Sequence, residues 1–326
     1  MWKNYLIGLV ISVATLVIFF RQASPGQIWQ AFGQVDLWLL GPVTMTYLAS
    51  FVLRALRWRY LMRPVAEVGF GPLLSALMIG FLGNNILPAH LGELVRAVVL
   101  GRQAQVSASA VMATVVMERV WDGLTILLLL GVVLMFMDAP PWVRMGGWAG
   151  LAFFGGTMFF LQMFRWQRQR CMKLLGFCLR PLPARWSSGL LGMAQSFADG
   201  LAVARAADLA FIAGYSLVLW LTLSVCAWLL MIAFGFDLGL MSAIFLEVLV
   251  ALALIIPAAP GFVGTFHMGA QVALVMFGVA AAEAGSYAML LWLIHFVPTT
   301  IIGLYFLKKS GLGWAGLTGS SKNSVA

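Results

Sequence analysis

Charge is what this sequence has least of: Asp, Glu, Lys and Arg make up 10% of its 326 residues, against 62% hydrophobic. A chain so poor in charge cannot cover a soluble globular surface, and the class that fits is a polytopic membrane protein. Acidic residues are the scarcer sign, 11 against 20 basic ones. The excess of positive charge is scattered between apolar runs and forms no basic stretch on a soluble fold. It therefore excludes nucleic acid as a partner and fits the arginine-rich cytoplasmic loops of a multi-pass protein. Cysteine is sparse as well: Cys171, Cys178 and Cys226 give neither a disulfide framework nor metal-ligand spacing. No HExxH pair, phosphate-binding G-x-x-x-x-G-K-[ST] loop or aspartate-rich run occurs. Metal centre, resident ATPase and cofactor are thus not expected.

What is present is a series of long apolar runs. Six read as full spans: Met1–Phe20, Asp36–Leu53, Ser107–Met137, Gly146–Phe164, Asp208–Phe236 and Ser286–Leu307. The first has Lys3 ahead of it and no small-x-small cleavage site before Arg21, so it reads as an uncleaved helix with its amino terminus inside. Arg54, Arg57, Arg59 and Arg63 read as a cytoplasmic loop, and Lys308-Lys309 place the carboxyl end inside too. The expected setting is a bacterial inner membrane with both termini cytoplasmic. Arg165 to Arg205 is a basic linker that Pro181 and Pro183 divide into two amphipathic pieces lying on the inner leaflet. The expected organisation is a single membrane domain over 1–310: one half over 36–164, the linker over 165–206, the other half over 207–307. A Gly- and Ser-rich tail, 311–326, reads as disordered.

Two further apolar segments are broken. Asn84–Arg96, NNILPAHLGELVR, carries amides, a proline, a histidine, a glutamate and an arginine where hydrocarbon is expected. Such backbone survives at membrane depth only when buried in protein or lining a wet cavity. PAAPGFVG, Pro257–Gly264, answers it near the other end, and Pro88-x-x-x-Gly92 overlays Pro260-x-x-x-Gly264. Proline-broken segments in corresponding halves point to a transporter's midplane site. Each is expected to be a broken or re-entrant helical hairpin. For the spans to close, the first must enter and leave from inside and the second from outside, which is an inverted-topology repeat; the alternative is that both segments cross fully.

A third constellation, Glu118, Arg119 and Asp122 in MERVWDG, sits within the long third span. Charges there must pair, snorkel or face water. Spacing alone does not read the pairing, but Glu93 and Arg96, one helical turn apart, are candidate partners across the bundle for Arg119 and Glu118; the alternative to a polar pathway is an internal ion pair that only locks helices. The candidate substrate pathway is therefore Asn84, Asn85, Pro88, His90, Gly92, Glu93, Arg96, Glu118, Arg119, Asp122, Pro260, Gly261, Gly264 and His267. Glu247 with His267 is a candidate proton relay, weighed against the simpler reading of each histidine as a hydrogen-bonded core residue.

NNILPAHLGELVRAVVL, MERVWDG and PAAPGFVGTFH, in this order, resemble the transmembrane domain of lysylphosphatidylglycerol synthases, also found alone as UPF0104 flippase-like proteins. The resemblance covers roughly Lys3 to Lys309 and implies an integral membrane fold that moves lipids between leaflets. Pro88, Gly92, Glu93 and Arg96 match its first signature, Glu118, Arg119 and Asp122 the second, Pro260, Gly261 and Gly264 the third. The synthases also carry a soluble acyltransferase domain, which this sequence lacks, so no aminoacyl transfer and no enzyme activity are expected of it. The partners implied are phospholipids, anionic or aminoacylated, and a lipid-synthesising enzyme. The alternative is a membrane component of a lipid-modifying, lipid-linked glycan or terpenoid-lipid pathway.

Overall fold

The computed structural model describes residues 2–22, 24–33, 35–87, 90–137, 140–179, 184–201, 206–256 and 258–311. Pro88, Pro181, Pro183, Pro257 and the tail from 312 onward, each singled out in the sequence, lie outside them. Among the described residues the chain is helical throughout: α1 Trp2–Gln22, α2 Pro25–Phe32, α3 Leu40–Met62, α4 Phe70–Ile86, α5 Gly92–Gln103, α6 Ala108–Phe136, α7 Pro141–Trp166, α8 Arg168–Cys178, α9 Ala184–Gly200, α10 Ala206–Ala233, α11 Leu240–Ala253, α12 Thr265–Met276 and α13 Ala281–Lys309.

Five stretches are long and apolar enough to cross a membrane: Leu37–Met62, Ala108–Phe136, Pro141–Phe164, Ala207–Ala233 and Ala281–Lys309. These are five of the six expected spans. Of the sixth, in α1, the stretch Val10–Arg21 is a shorter apolar helix. One boundary is corrected. The second span does not end at Leu53 but runs on to Met62, so Arg54, Arg57 and Arg59 are helical rather than in a loop. Arg54 and Arg57 are buried and only Arg59 and Arg63 are exposed. The buried Arg57 guanidinium is met by acidic side chains on α6, as set out below.

The broken segments are hairpins. α4 has 17 residues, α5 12, α11 14 and α12 12. At ~1.5 Å per residue they are ~18–25 Å long, short of a ~30 Å hydrocarbon core. α4 packs along α5, and α11 along α12. In the first pair the backbones nearly touch: a Cβ on Gly92 would overlap the Gly80 carbonyl oxygen and the Asn84 amide. Small residues permit this approach, which membrane helices use in place of a hydrophobic driving force.

The packing has an internal symmetry. Exchanging α3–α4–α5–α6 for α10–α11–α12–α13 leaves the set of packed pairs unchanged: α3·α4 maps on α10·α11, α5·α6 on α12·α13, α4·α13 on α11·α6, and α3·α13 on α10·α6. α3 and α10 pack on each other at the centre and run antiparallel. Arg63 pairs with Asp208 at one end, Arg57 donates to Ser216 Oγ at 2.9 Å, and the Asp36 N–H donates to the Ala233 carbonyl at 2.9 Å at the other end. The two hairpin tips meet. His90 and Phe262, each two residues past the proline of its segment, both take left-handed backbone (φ 55° and 57°), and their ring centroids are 4.9 Å apart.

Polar backbone freed at the second break is satisfied locally, as burial requires. The Ala259 N–H donates to Ser12 Oγ on α1 at 2.8 Å. Trp292 Nε1 donates to the Gly261 carbonyl at 2.7 Å. Gly261 and Gly264 have φ of 71° and 95°, and a Cβ on Gly264 would overlap Thr15 and Ser12 of α1. The linker forms α8 and α9, joined by Arg168–Asp199 at 2.7 Å; α9 packs against α6.

Replacing Gly92 by alanine should push α5 off α4 and lower stability by about 1–3 kcal/mol, the usual cost of overpacking. Gly156→Ala, where a Cβ meets nothing within 4 Å, should leave the melting temperature in detergent unchanged or slightly raised.

Candidate functional site

α5 and α6 start from helix-forming sequence on either side of a short turn, and their packing brings the two polar stretches together. Glu93 and Arg96 lie one turn apart on α5; Glu118, Arg119 and Asp122 lie within four residues on α6. The candidate cross-bundle partners are in contact: Arg96 with Glu118 at 3.1 Å and Arg119 with Glu93 at 3.6 Å. Within the elements, Arg96 meets Glu93 at 2.5 Å, and Arg119 meets Glu118 at 2.7 Å and Asp122 at 3.5 Å.

Sequence reasoning missed the third cation. Arg57 of α3, fully buried, pairs with Asp122 at 2.5 Å and with Glu118 at 3.4 Å. Glu118 is thus a fully buried carboxylate facing three guanidiniums from three helices. A signal was available. Glu93, Glu118 and Asp122 against Arg96 and Arg119 leave one negative charge uncompensated, and a buried charge requires a partner. Trp220 of α10 also donates its Nε1 to Asp122 at 3.2 Å, and the Arg96 guanidinium lies over the Trp58 ring, 5.1 Å from its centroid. The cluster is closed on the α3 side and open at one edge, where the Arg119 side chain is 42% exposed.

Two other features adjoin it. An apolar groove of about 570 Å³ runs between α5, α6, α7 and α9, lined by Leu94, Val98, Met112, Phe160, Phe164 and Phe197 among others. On the far side of Trp220 is a mainly apolar chamber of about 140 Å³ whose lining also carries Tyr47 and Arg54 of α3, Asn85 of α4, Glu247 of α11, and Trp292 and His295 of α13. Among the described residues no group of three or more His, Cys, Asp or Glu side chains converges on a point that could hold a metal.

The remaining candidate residues divide. Asn84 is buried against Gly92. Asn85 donates to Thr300 at 2.9 Å, Thr299 at 3.1 Å and the Phe296 carbonyl at 3.3 Å, fastening α4 to α13 beside Pro298. His90 forms the first tip; Pro260, Gly261 and Gly264 shape the second turn. His267 is not with the charged cluster. Its Nδ1 accepts the Gly264 N–H at 3.3 Å and its ring packs against Phe19 and Trp292. Of the candidate relay pair, Glu247 lines the chamber beyond Trp220, where the lining histidine is His295, while His267 caps α12.

Comparison with known proteins places this architecture. The profile of the family described as "Lysylphosphatidylglycerol synthase TM region" matches residues 5–303. Two UPF0104 membrane proteins of Methanothermobacter thermautotrophicus are similar over most of their length. One is 26% identical over 78% of this chain and 80% of its own; the other is 22% identical over 91% and 90%. Glycosyltransferase AglD of Haloferax volcanii is 32% identical over 136 residues, 40% of this chain; the match spans about a fifth of that protein, 21%. No solved structure matches.

Arg57→Met should cost about 3–5 kcal/mol by leaving Asp122 and Glu118 under-compensated. The double variant Arg57→Met/Asp122→Leu should regain part of this, with a coupling of about 0.5–3 kcal/mol. Thermal unfolding of the four proteins in one detergent gives the cycle, and strict additivity would contradict the pairing.

Proposed function

Because the chain belongs to the family of lysylphosphatidylglycerol synthase transmembrane regions, we propose that it moves a phospholipid or lipid-linked head group between leaflets through the polar interior of α3, α5 and α6. The observation that carries this reading is the six-charge cluster of Arg57, Arg96, Arg119, Glu93, Glu118 and Asp122, set inside apolar helices and open only at Arg119. Charge at this depth is expensive, and a fully closed ion-pair set would serve stability no better than packed apolar side chains. An edge that remains accessible is what a head group needs.

In this reading Arg119 attracts the phosphate at the open edge, and Arg57 and Arg96 keep the interior field from collapsing on the carboxylates. Glu93, the acidic residue nearest that edge, orients the cations or takes a cationic substituent. The apolar groove begins at Leu94, the residue after Glu93, so an acyl chain can lie along it while the head is held at Arg119. The exchangeable halves and antiparallel α3 and α10 support an inverted-topology repeat, with one hairpin entering from each side and the tips meeting near the middle. Both termini are then cytoplasmic. No catalytic step is assigned; an anionic or aminoacylated lipid is the substrate class, made by a separate enzyme.

One observation favours a second reading. The similarity to part of a glycosyltransferase fits a membrane component of a lipid-linked glycan pathway, in which the same cavity holds a lipid-linked sugar for an enzyme.

Purified protein in liposomes should accelerate transbilayer movement of fluorescent phospholipids over empty liposomes. Arg119→Ala should return the rate to the empty-liposome level while eluting as folded protein, and Arg102→Ala, at an exposed position on α5, should not. Absence of transfer for every phospholipid, with transfer or binding of a lipid-linked sugar, would favour the second reading.

A further inference from the structure

The chamber beyond Trp220 contains an arrangement that the ion-pair cluster does not explain. Arg54 of α3 and Glu247 of α11 both line it and both are buried. When ionised they carry opposite charges, yet neither has an ion-pair partner within 4.0 Å among the described residues. Glu247 Oε1, Arg54 Nε and the nearby His295 Nε2 have no hydrogen-bond partner among the described residues. Opposite charges in an apolar bundle lower their energy by direct contact. Here they are held apart across a space of about 140 Å³, the liquid volume of about four to five waters.

The rest of the lining fits the gap. Trp220, Trp292, Phe266 and Tyr47 put aromatic rings around it; such rings receive an ammonium on their faces. Tyr47 is stacked on His295 with centroids 4.1 Å apart and its hydroxyl donates to the His295 carbonyl at 3.2 Å, which fixes that wall. The chamber touches both hairpins, through Asn85 on one side and Gly261 and Phe262 on the other. Trp220 is shared with the ion-pair cluster through its bond to Asp122.

We propose that this chamber is a subsite for a compact phospholipid head group bearing both a phosphate and an ammonium, the phosphate on Arg54 and the ammonium on Glu247 within the aromatic rings. The inference rests on the translocation reading only for its direction of use; it deepens that reading by naming the class of head group. It assigns Arg54 and Glu247 separable roles. Arg54 answers to any phosphate, and Glu247 only to a head group that also carries a positive charge.

The test is binding of short-chain phosphatidylethanolamine and phosphatidylglycerol to the purified full chain in detergent, with glycerophosphoethanolamine as soluble competitor. The parent should prefer phosphatidylethanolamine by about tenfold or more. Glu247→Gln should abolish that preference by weakening phosphatidylethanolamine about tenfold while leaving phosphatidylglycerol within about twofold; Arg54→Gln should weaken both about tenfold. If Glu247→Gln aggregates, Glu247→Asp, which keeps the charge and withdraws it by one methylene, should weaken phosphatidylethanolamine alone. Equal affinity of the parent for the two lipids, or a Glu247 variant that binds both as the parent does, overturns the proposal. Competition by glycerophosphoethanolamine as strong as by the lipid would overturn the lipid as source. Binding is read without transport, so intact selectivity with no transfer in liposomes counts against translocation and not against the subsite.

Discussion

Everything around the centre of this bundle depends on how one carboxylate is compensated. Glu118 has no solvent to ionise into, and three guanidiniums reach it from α3, α5 and α6. Each of those arginines is held in turn by a second acid, Asp122 for Arg57 and Glu93 for Arg96 and Arg119. The result ties three helices together by a network whose members are individually costly and jointly tolerable. It also explains why α5 lies so close to α4: only a glycine at 92 lets the short helix sit where Arg96 can reach Glu118.

The hairpins supply a second constraint. Neither is long enough to cross, so their tips end inside the protein, and each tip must satisfy or shield its own backbone. The second does so through Ser12 and Trp292. His90 and Phe262, both in left-handed backbone, close the tips against each other. Placing two strained residues face to face in corresponding positions is a cost of about 1–3 kcal/mol apiece, borne where the two halves meet and where the chamber of Arg54 and Glu247 lies.

Much of this could be read from the chain itself. Polar residues within apolar runs stand out, so Asn84–Arg96 and Glu118–Asp122 identified themselves, and the Pro-x-x-x-Gly overlay marked the two breaks as counterparts. The arginines of α3 could not be placed the same way. A row of cations after an apolar run has the same composition in a cytoplasmic loop and in a buried helix end; only acids some 65 residues further on distinguish the two. His267 takes the simpler of its two readings, a hydrogen-bonded core residue: its ring nitrogen accepts the backbone N–H of Gly264.

The burial of Arg54 and Arg57 also bears on how the chain is made. Leaving the ribosome, α3 presents two guanidiniums to the bilayer at an insertion cost of about 2.5–3.5 kcal/mol each. The carboxylates that neutralise Arg57 emerge several seconds afterwards at about 5–20 residues per second. Until α6 arrives, Arg57 lacks the acids that pair with it in the folded bundle, and the spacing between base and acid sets how long that charge waits.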